Sequence, residues 1–381
     1  MTEGYTALWS YAWDLMAGGV DITLERIATT GVKGVSLATS YHAGMVMLPH
    51  NPQQKVRFLE DGSLYFRPDP QLFGQLEIQP RVSALTEQFD PLEDICFGAK
   101  RQGLEVTSWT VCCHNSYLGS LHPELTIHNA FGDPYLFALC PSQPAVQAYL
   151  EALLANLSQY PLRTLQLESY DYMGFYHGYH HEKVQLELGA AAAMLMGICF
   201  CDACRQAATE RGMDPVALQE AVAAWLVHSF ESEVDDPSEA THEVLGALVP
   251  GMAAYLAMRD ELTIKSLKGL IAASSVPLNL LGVKPQVLTA VQGQIAEITT
   301  CAYVGSAEEV TQATSAARKL AGDTHEVGVG LEISPKFTPT AANMAEKVSA
   351  ARQAGADNLY FYNYGLVPMR SLGWLRMALR G

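Results

Sequence analysis

The chain is short of basic charge. It carries 24 Lys and Arg against 40 Asp and Glu, a formal net charge of −16 over 381 residues. Such a balance repels phosphate backbones and anionic lipid, so neither nucleic acid nor a membrane surface is an expected partner. Long apolar runs are missing too: nothing approaches the roughly 18 to 20 uninterrupted apolar residues that span a bilayer. The opening MTEGYTALWS has no basic n-region and no apolar h-region, which points to a cytoplasmic protein. No GxGxxG follows the first apolar run, so a dinucleotide fold and an organic cofactor have no support. Cysteines number only eight, far too few for the dense disulfide framework of a small secreted domain.

What is present is core material: 49% of the residues are hydrophobic and 17% charged, the composition of a folded globule rather than a disordered chain. The length suits one barrel of roughly 250 residues with insertions. A recurring unit supports this. An amphipathic segment ends at glycine and a short apolar run follows, as in 27–31 leading to 34–38, 95–103 leading to 104–109, and 348–355 leading to 358–362. Glycine supplies the left-handed helix terminus, and the run reads as a strand buried on both faces.

Eight strands are expected, at 7–11, 34–38, 104–110, 164–168, 276–281, 298–303, 327–333 and 358–362. Helical patterns separate them. Val146, Tyr149, Leu150, Leu153, Leu154 and Leu157 form one apolar stripe, with Ser142 and Pro144 at its start. Asp214 and Pro215 read as N-cap and N1 of a helix with Leu218, Val222, Trp225 and Leu226 facing inward, and Gly212 ends the helix before it. Strand and helix alternating throughout give an α/β fold, a single (β/α)8 TIM barrel covering 1–381. Two connections are long: an irregular lid at 39–90, and a helical insertion at 169–275 in which 231–241 reads as a solvated break.

Chemistry on such a barrel gathers at the carboxyl ends of the strands. Glu168 closes the fourth strand, and Glu332 stands near the end of the seventh. A glycosidic bond needs one carboxylic acid to protonate the leaving oxygen and one carboxylate at the anomeric carbon, and glutamates on nearly opposite strands can face each other across that gap. Cys199, Cys201 and Cys204 crowd into six residues, a clustering that suggests metal more than disulfides, and Cys140 lies upstream in a Cys-Pro-Ser segment.

With these residues the sequence resembles the clan A glycoside hydrolases, which place glutamates after strands four and seven. It resembles in particular beta-galactosidases of the family-42 type, with their Cys-x-Cys-x-x-Cys run and an earlier fourth cysteine. The whole chain also looks like uncharacterised bacterial glycoside-hydrolase-like proteins. The resemblance implies Glu168 as acid/base, Glu332 as nucleophile of a retaining glycosidase, and a structural zinc on Cys140, Cys199, Cys201 and Cys204 that pins the second insertion to the barrel. One departure stands out: the clan's Asn before the acid/base glutamate is Leu167 here, so the substrate's 2-hydroxyl would be held differently.

Around this pair, His42, Trp109, His114, Asn115, Asp171, Tyr172, Tyr176, His177 and Asn363 are the candidate contacts for a small carbohydrate or glycoside. Tyr364 lies beside them, Trp9 and Trp13 could offer ring faces, and Asp171 is the reserve acid. Two other readings fit the same barrel. A metal-dependent sugar isomerase or epimerase would use Glu168, His114 and His177 as ligands, although strands six and eight bring no carboxylate; a non-catalytic barrel would bind carbohydrate without turning it over. A homo-oligomer is compatible with the sequence.

Overall fold

The computed structural model describes residues 4–176, 182–232 and 237–380. Its centre is a closed ring of eight parallel strands: β1 (Thr6–Tyr11), β2 (Gly34–Tyr41), β3 (Glu105–Val111), β4 (Leu165–Glu168), β5 (Leu278–Leu281), β6 (Glu297–Ala302), β7 (Glu326–Glu332) and β8 (Asn358–Tyr362). Each pairs with the next, and β8 returns to β1. With helices between the strands, this is a (β/α)8 barrel.

Alternation along each strand decides what fills the barrel. On β4, Leu165 and Leu167 are buried outside it, while Gln166 accepts from Trp9 Nε1 of β1 at 2.7 Å and from Ser36 of β2 at 3.1 Å, contacts that only the interior allows. Glu168 is two residues on, so it shares the inward parity and emerges at the mouth. On β7 the inward positions are Gly328, Gly330 and Glu332. A Cβ at Gly330 would come within 2.6 Å of the Trp9 ring, and one at Gly328 within 2.2 Å of Glu297. Glycine is required there because bulky side chains from other strands fill the space, and Glu332 follows at the rim.

The interior is polar at its base. Asn279 donates to the Tyr360 hydroxyl (3.2 Å), which donates to Glu297 (2.9 Å). Burial pushes the Glu297 carboxyl up to about 7, with hydrogen bonds from Tyr360 and Asn358 offsetting part of the rise. The folded pKa lies above the unfolded one, so folding takes up a proton: the associated stability is fully present below pH 4.5 and is lost as pH rises through 7. Glu297→Gln keeps an acceptor for Tyr360 and removes the charge. It is expected to raise the melting temperature at pH 8, where the buried charge costs up to about 3 kcal/mol, and to change little at pH 4. Melts showing no gain at pH 8 would refute this.

Outside the ring, the helix Pro144–Leu157 buries all six expected apolar positions. Its N-cap is Gln143 rather than Ser142, whose hydroxyl instead bonds the Tyr172 hydroxyl. Asp214 caps Pro215–Glu231 as expected, accepting from Val216 N and Ala217 N, and Trp225 is half-buried beside buried Leu218, Val222 and Leu226. Helices Ala190–Met196, Asp202–Glu210, Pro215–Glu231, His242–Leu248 and Met252–Ala273 build a second apolar core around Leu195, Val222 and Tyr255. Among the described residues no helix is long and apolar enough to cross a membrane.

Two segments differ from expectation. Strand β2 runs past 38 to Tyr41, through a register shift between Ala38 and Ser40, and 39–90 is more ordered than an irregular loop: Gly44–Met47 pairs with Val56–Leu59, and Ser63–Leu64 adds antiparallel to β2. A second hairpin, Thr126–His128 with Pro134–Leu139, delivers Cys140 directly after its last strand. Short strands flanked by turn residues carry too little periodicity to stand out in sequence.

Candidate functional site

The mouth of the barrel has an aromatic floor. Tyr11, Tyr41 and Tyr362 end β1, β2 and β8, and their hydroxyls are linked, Tyr11 to Tyr41 at 3.1 Å and Tyr11 to Tyr362 at 3.3 Å. Trp109 packs edge-on to Tyr41 (4.8 Å between centroids) and Tyr362 (6.0 Å), and Tyr303 lies 5.3 Å from Tyr362. Cys301 on β6 is solvent-exposed, yet desolvation pushes its thiol up to about 11.

Both glutamates border this floor. Glu168 accepts a 2.6 Å hydrogen bond from Trp109 Nε1 through Oε2. The next residue, Ser169, has φ of 53°, a left-handed conformation that a non-glycine residue adopts at a cost and that turns the chain sharply at the acid. Glu332 is half-buried and accepts from Ser334 N at 2.9 Å. Burial raises its pKa, and the Ser334 contacts and the charges of Lys347 and Lys336 offset part of that rise. Among the described residues no cation lies within ion-pair distance of Glu332: Lys347 spends its ammonium on Val304 O and Phe337 O, each at 2.5 Å. Tyr362 stands opposite Glu332 in register, and its hydroxyl, raised first by burial, is raised further by the charges of both Glu168 and Glu332. Beside Glu168 a cavity of about 500 Å³ opens between the ends of β4 and β5, lined by Tyr170, Asp171, Tyr172 and Lys284 among others.

The nine expected contacts separate into groups. His42 and His114 come together, their rings stacked 4.3 Å apart, with His42 also stacked on Tyr41. Trp109 is 4% exposed and offers no open ring face, and Trp9 and Trp13 are buried as well. Asn115 is withdrawn: it is 2% exposed, and its carbonyl oxygen caps the helix Ser116–Leu121 through Leu118 N. Asn363 is fully buried and accepts from Gly365 N. Asp171 is held by Lys284 at 2.8 Å and by the Thr263 hydroxyl at 2.6 Å, which makes it a structural anchor rather than a reserve acid. Tyr172 lines the cavity with its ring, but its hydroxyl turns to Cys204 Sγ (3.5 Å). Tyr176 is 52% exposed against Phe175, and His177 lies outside the described residues. The tyrosine floor was not singled out from sequence, although part of its signal was there: the expected strands 7–11, 298–303 and 358–362 end in Tyr11, Tyr303 and Tyr362, whereas Tyr41 lies past the expected end of the second strand.

Away from the mouth, Cys140, Cys199, Cys201 and Cys204 converge, all buried, with Sγ atoms within 4.8 Å of one another. Cys140 Sγ lies 3.8, 3.6 and 3.7 Å from those of Cys199, Cys201 and Cys204. A tetrahedral ion with metal–sulfur bonds of about 2.3 Å puts its sulfurs roughly 3.8 Å apart, so the donor set and spacing fit such an ion. Burial pushes the Cys140 and Cys199 thiols well above their usual range, a cost a bound cation would offset. The buried Arg259 guanidinium stacks 4.1 Å over Tyr172. Desolvation opposes its charge, but Tyr172, Cys199, Cys204 and Asp171 outweigh that and raise its pKa.

No protein-family model matches this sequence, and no curated protein does. Solved structures do. The chain is similar to the alpha-L-fucosidase isoenzyme 2 of Paenibacillus thiaminolyticus, with TM-score 0.57 and 12% identity over 100% of this chain and 49% of that one. It is also similar to the beta-galactosidase of the psychrophilic Marinomonas ef1, with TM-score 0.56 and 10% identity over 99% of this chain and 59% of that one. The likeness establishes the barrel. The chain spans about half of the length of the first of these proteins and about three fifths of the second.

Proposed function

We propose that the protein is a glycoside hydrolase of the retaining type, with Glu168 as general acid/base and Glu332 as nucleophile. The observation that carries this is the pair of glutamates ending β4 and β7 at inward positions, Glu332 in register with Tyr362 and Glu168 bonded to Trp109, whose ring packs on Tyr362. In the first step Glu332 attacks the anomeric carbon as the bond to the leaving oxygen breaks and Glu168 gives that oxygen its proton. In the second, Glu168 takes a proton from water, whose oxygen displaces Glu332 and releases the sugar. Burial of Glu332 raises its pKa, so the acidic limb of activity, which requires Glu332 ionised, is shifted upward. The fucosidase and galactosidase barrels to which the chain is similar support a sugar substrate. His42 and His114 form one wall of the pocket, with Tyr176 at its outer edge. A screen of nitrophenyl glycosides of different sugars tests the reading: release of nitrophenol that Glu168 and Glu332 variants lose supports it. Sugar binding by calorimetry with no product would favour a non-catalytic barrel instead. An isomerase finds less support, because the mouth ends of β6 and β8 bring no carboxylate to complete a ligand set.

The ion that best suits four buried thiolates is zinc, held closed and structural. A tetrathiolate zinc carries two net negative charges, and the buried Arg259 guanidinium, stacked on Tyr172 whose hydroxyl bonds Cys204, is a neighbouring cation. Arg259→Met is expected to weaken zinc binding about 10- to 100-fold, read by competition with a chromogenic chelator. Unchanged affinity in a folded variant would refute that role.

A further inference from the structure

We propose that Trp109 is a positioning residue for Glu168 and decides which carboxyl oxygen carries the catalytic proton: Oε1, not Oε2. The inference rests on the reading of Glu168 as acid/base and deepens it. An indole nitrogen donates one hydrogen bond and accepts none. Trp109 Nε1 lies 2.6 Å from Glu168 Oε2. The carbonyl oxygen of a carboxylic acid is a much better acceptor than its hydroxyl oxygen, so when Glu168 is protonated this bond favours Oε2 as the carbonyl end and the transferable proton on Oε1.

The donor cannot swing away. Trp109 is 4% exposed, and its ring is fenced by Trp9 (6.1 Å), Tyr11 (5.7 Å), Tyr41 (4.8 Å) and Tyr362 (6.0 Å). It comes from β3, next to β4, where it pairs in register with Gln166, so parallel strands set the distance rather than a mobile loop. This arrangement also speaks to Leu167, the position at which the resemblance expects Asn: Leu167 points outward by strand parity, and Glu168 takes its orientation from the neighbouring strand instead. A hydrogen bond donated to the carboxylate favours the charged form. Removing the indole N–H withdraws that stabilisation from the carboxylate.

Trp109→Phe keeps an aromatic ring and removes the N–H. The alkaline limb of kcat/KM is expected to move up by about one pH unit. At the optimum, kcat should fall roughly 10-fold or more for glycosides with poor leaving groups, since the carboxyl is no longer aimed. KM should stay near the parent's, because the buried ring touches no substrate. An unmoved alkaline limb in a folded variant would overturn the proposal.

A second measurement on the parent protein needs no turnover. The ¹⁵N-labelled indole resonance of Trp109, assigned by its loss in Trp109→Phe, should lie downfield and shift with a single pKa that vanishes in Glu168→Gln. An indole resonance that ignores Glu168 from pH 3 to 9 would sink the inference even if the enzyme hydrolyses glycosides. A coupled resonance in a protein without hydrolytic activity would uphold the contact and locate the failure in the assigned reaction.

Discussion

Glu332→Gln is expected to lower turnover by about four orders of magnitude, the upper end of what losing such a group costs, on every glycoside that the parent protein cleaves. The amide has nearly the same volume, and Ser334 N can still donate to its oxygen, so the pocket is preserved. What is lost is the negative charge that attacks the anomeric carbon, and nothing else in the described mouth replaces it. Glu168→Gln should behave differently. Loss of the acid is expected to cost roughly 10²- to 10⁴-fold where the leaving alcohol needs a proton, and much less in the first step for a nitrophenolate, which departs unaided. Comparing kcat for activated and unactivated substrates in both variants therefore assigns the roles. Neither variant should lose stability: each replaces a partly desolvated charge with a neutral group, and Glu332 already has its pKa raised by burial. Undiminished hydrolysis in both would end the proposed mechanism.

Removal of the metal should be the second large effect. The purified protein is expected to hold about one zinc per chain, and exhaustive chelation or Cys140→Ser should lower the melting temperature by roughly 10 °C. The cysteines are at most 2% exposed, so without an ion the sulfurs must protonate and crowd together in the core. Structural zinc sites contribute about 10 kcal/mol or more in small peptides, and a fraction of that is enough for such a shift in a chain of this size. The damage should reach the mouth. Tyr172, four residues after Glu168, bonds Cys204 and Ser142, and Asp171 beside it is tied to Lys284 on the loop after β5. Turnover should then fall along with stability, with hydrogen exchange rising first in Asp202–Glu210 and Met252–Ala273. A metal-free preparation with an unchanged melt would remove zinc from the account.

Much of the scaffold could be read one residue at a time. All eight barrel strands lie at the expected apolar runs, and a glycine marks the turn into β2, β3, β6, β7 and β8, because backbone punctuation and hydrophobic period are local properties. Asp214 caps its helix for the same reason. The cysteines were readable through their spacing, since three thiols in six residues have few structural uses. Loop side chains were not. Asn115 and Asn363 are as suited to a sugar hydroxyl as to a backbone N–H, and nothing in their neighbours along the chain says that Leu118 and Gly365 claim them. Tyr172 looked like a pocket wall because it follows Glu168, but its hydroxyl serves a cluster that begins at Cys140.

Composition, glycine placement and strand period were thus sufficient to specify the barrel and to put two glutamates at the ends of β4 and β7. Those signals act over a few residues and survive any arrangement of the rest. Which way the carboxyls lean, what holds them and what surrounds them came only with the folded chain. Trp109 meets Glu168 across 59 residues, and Tyr11 meets Tyr362 across 351. Closing the ring brings them together, and no local preference of either partner encodes that meeting.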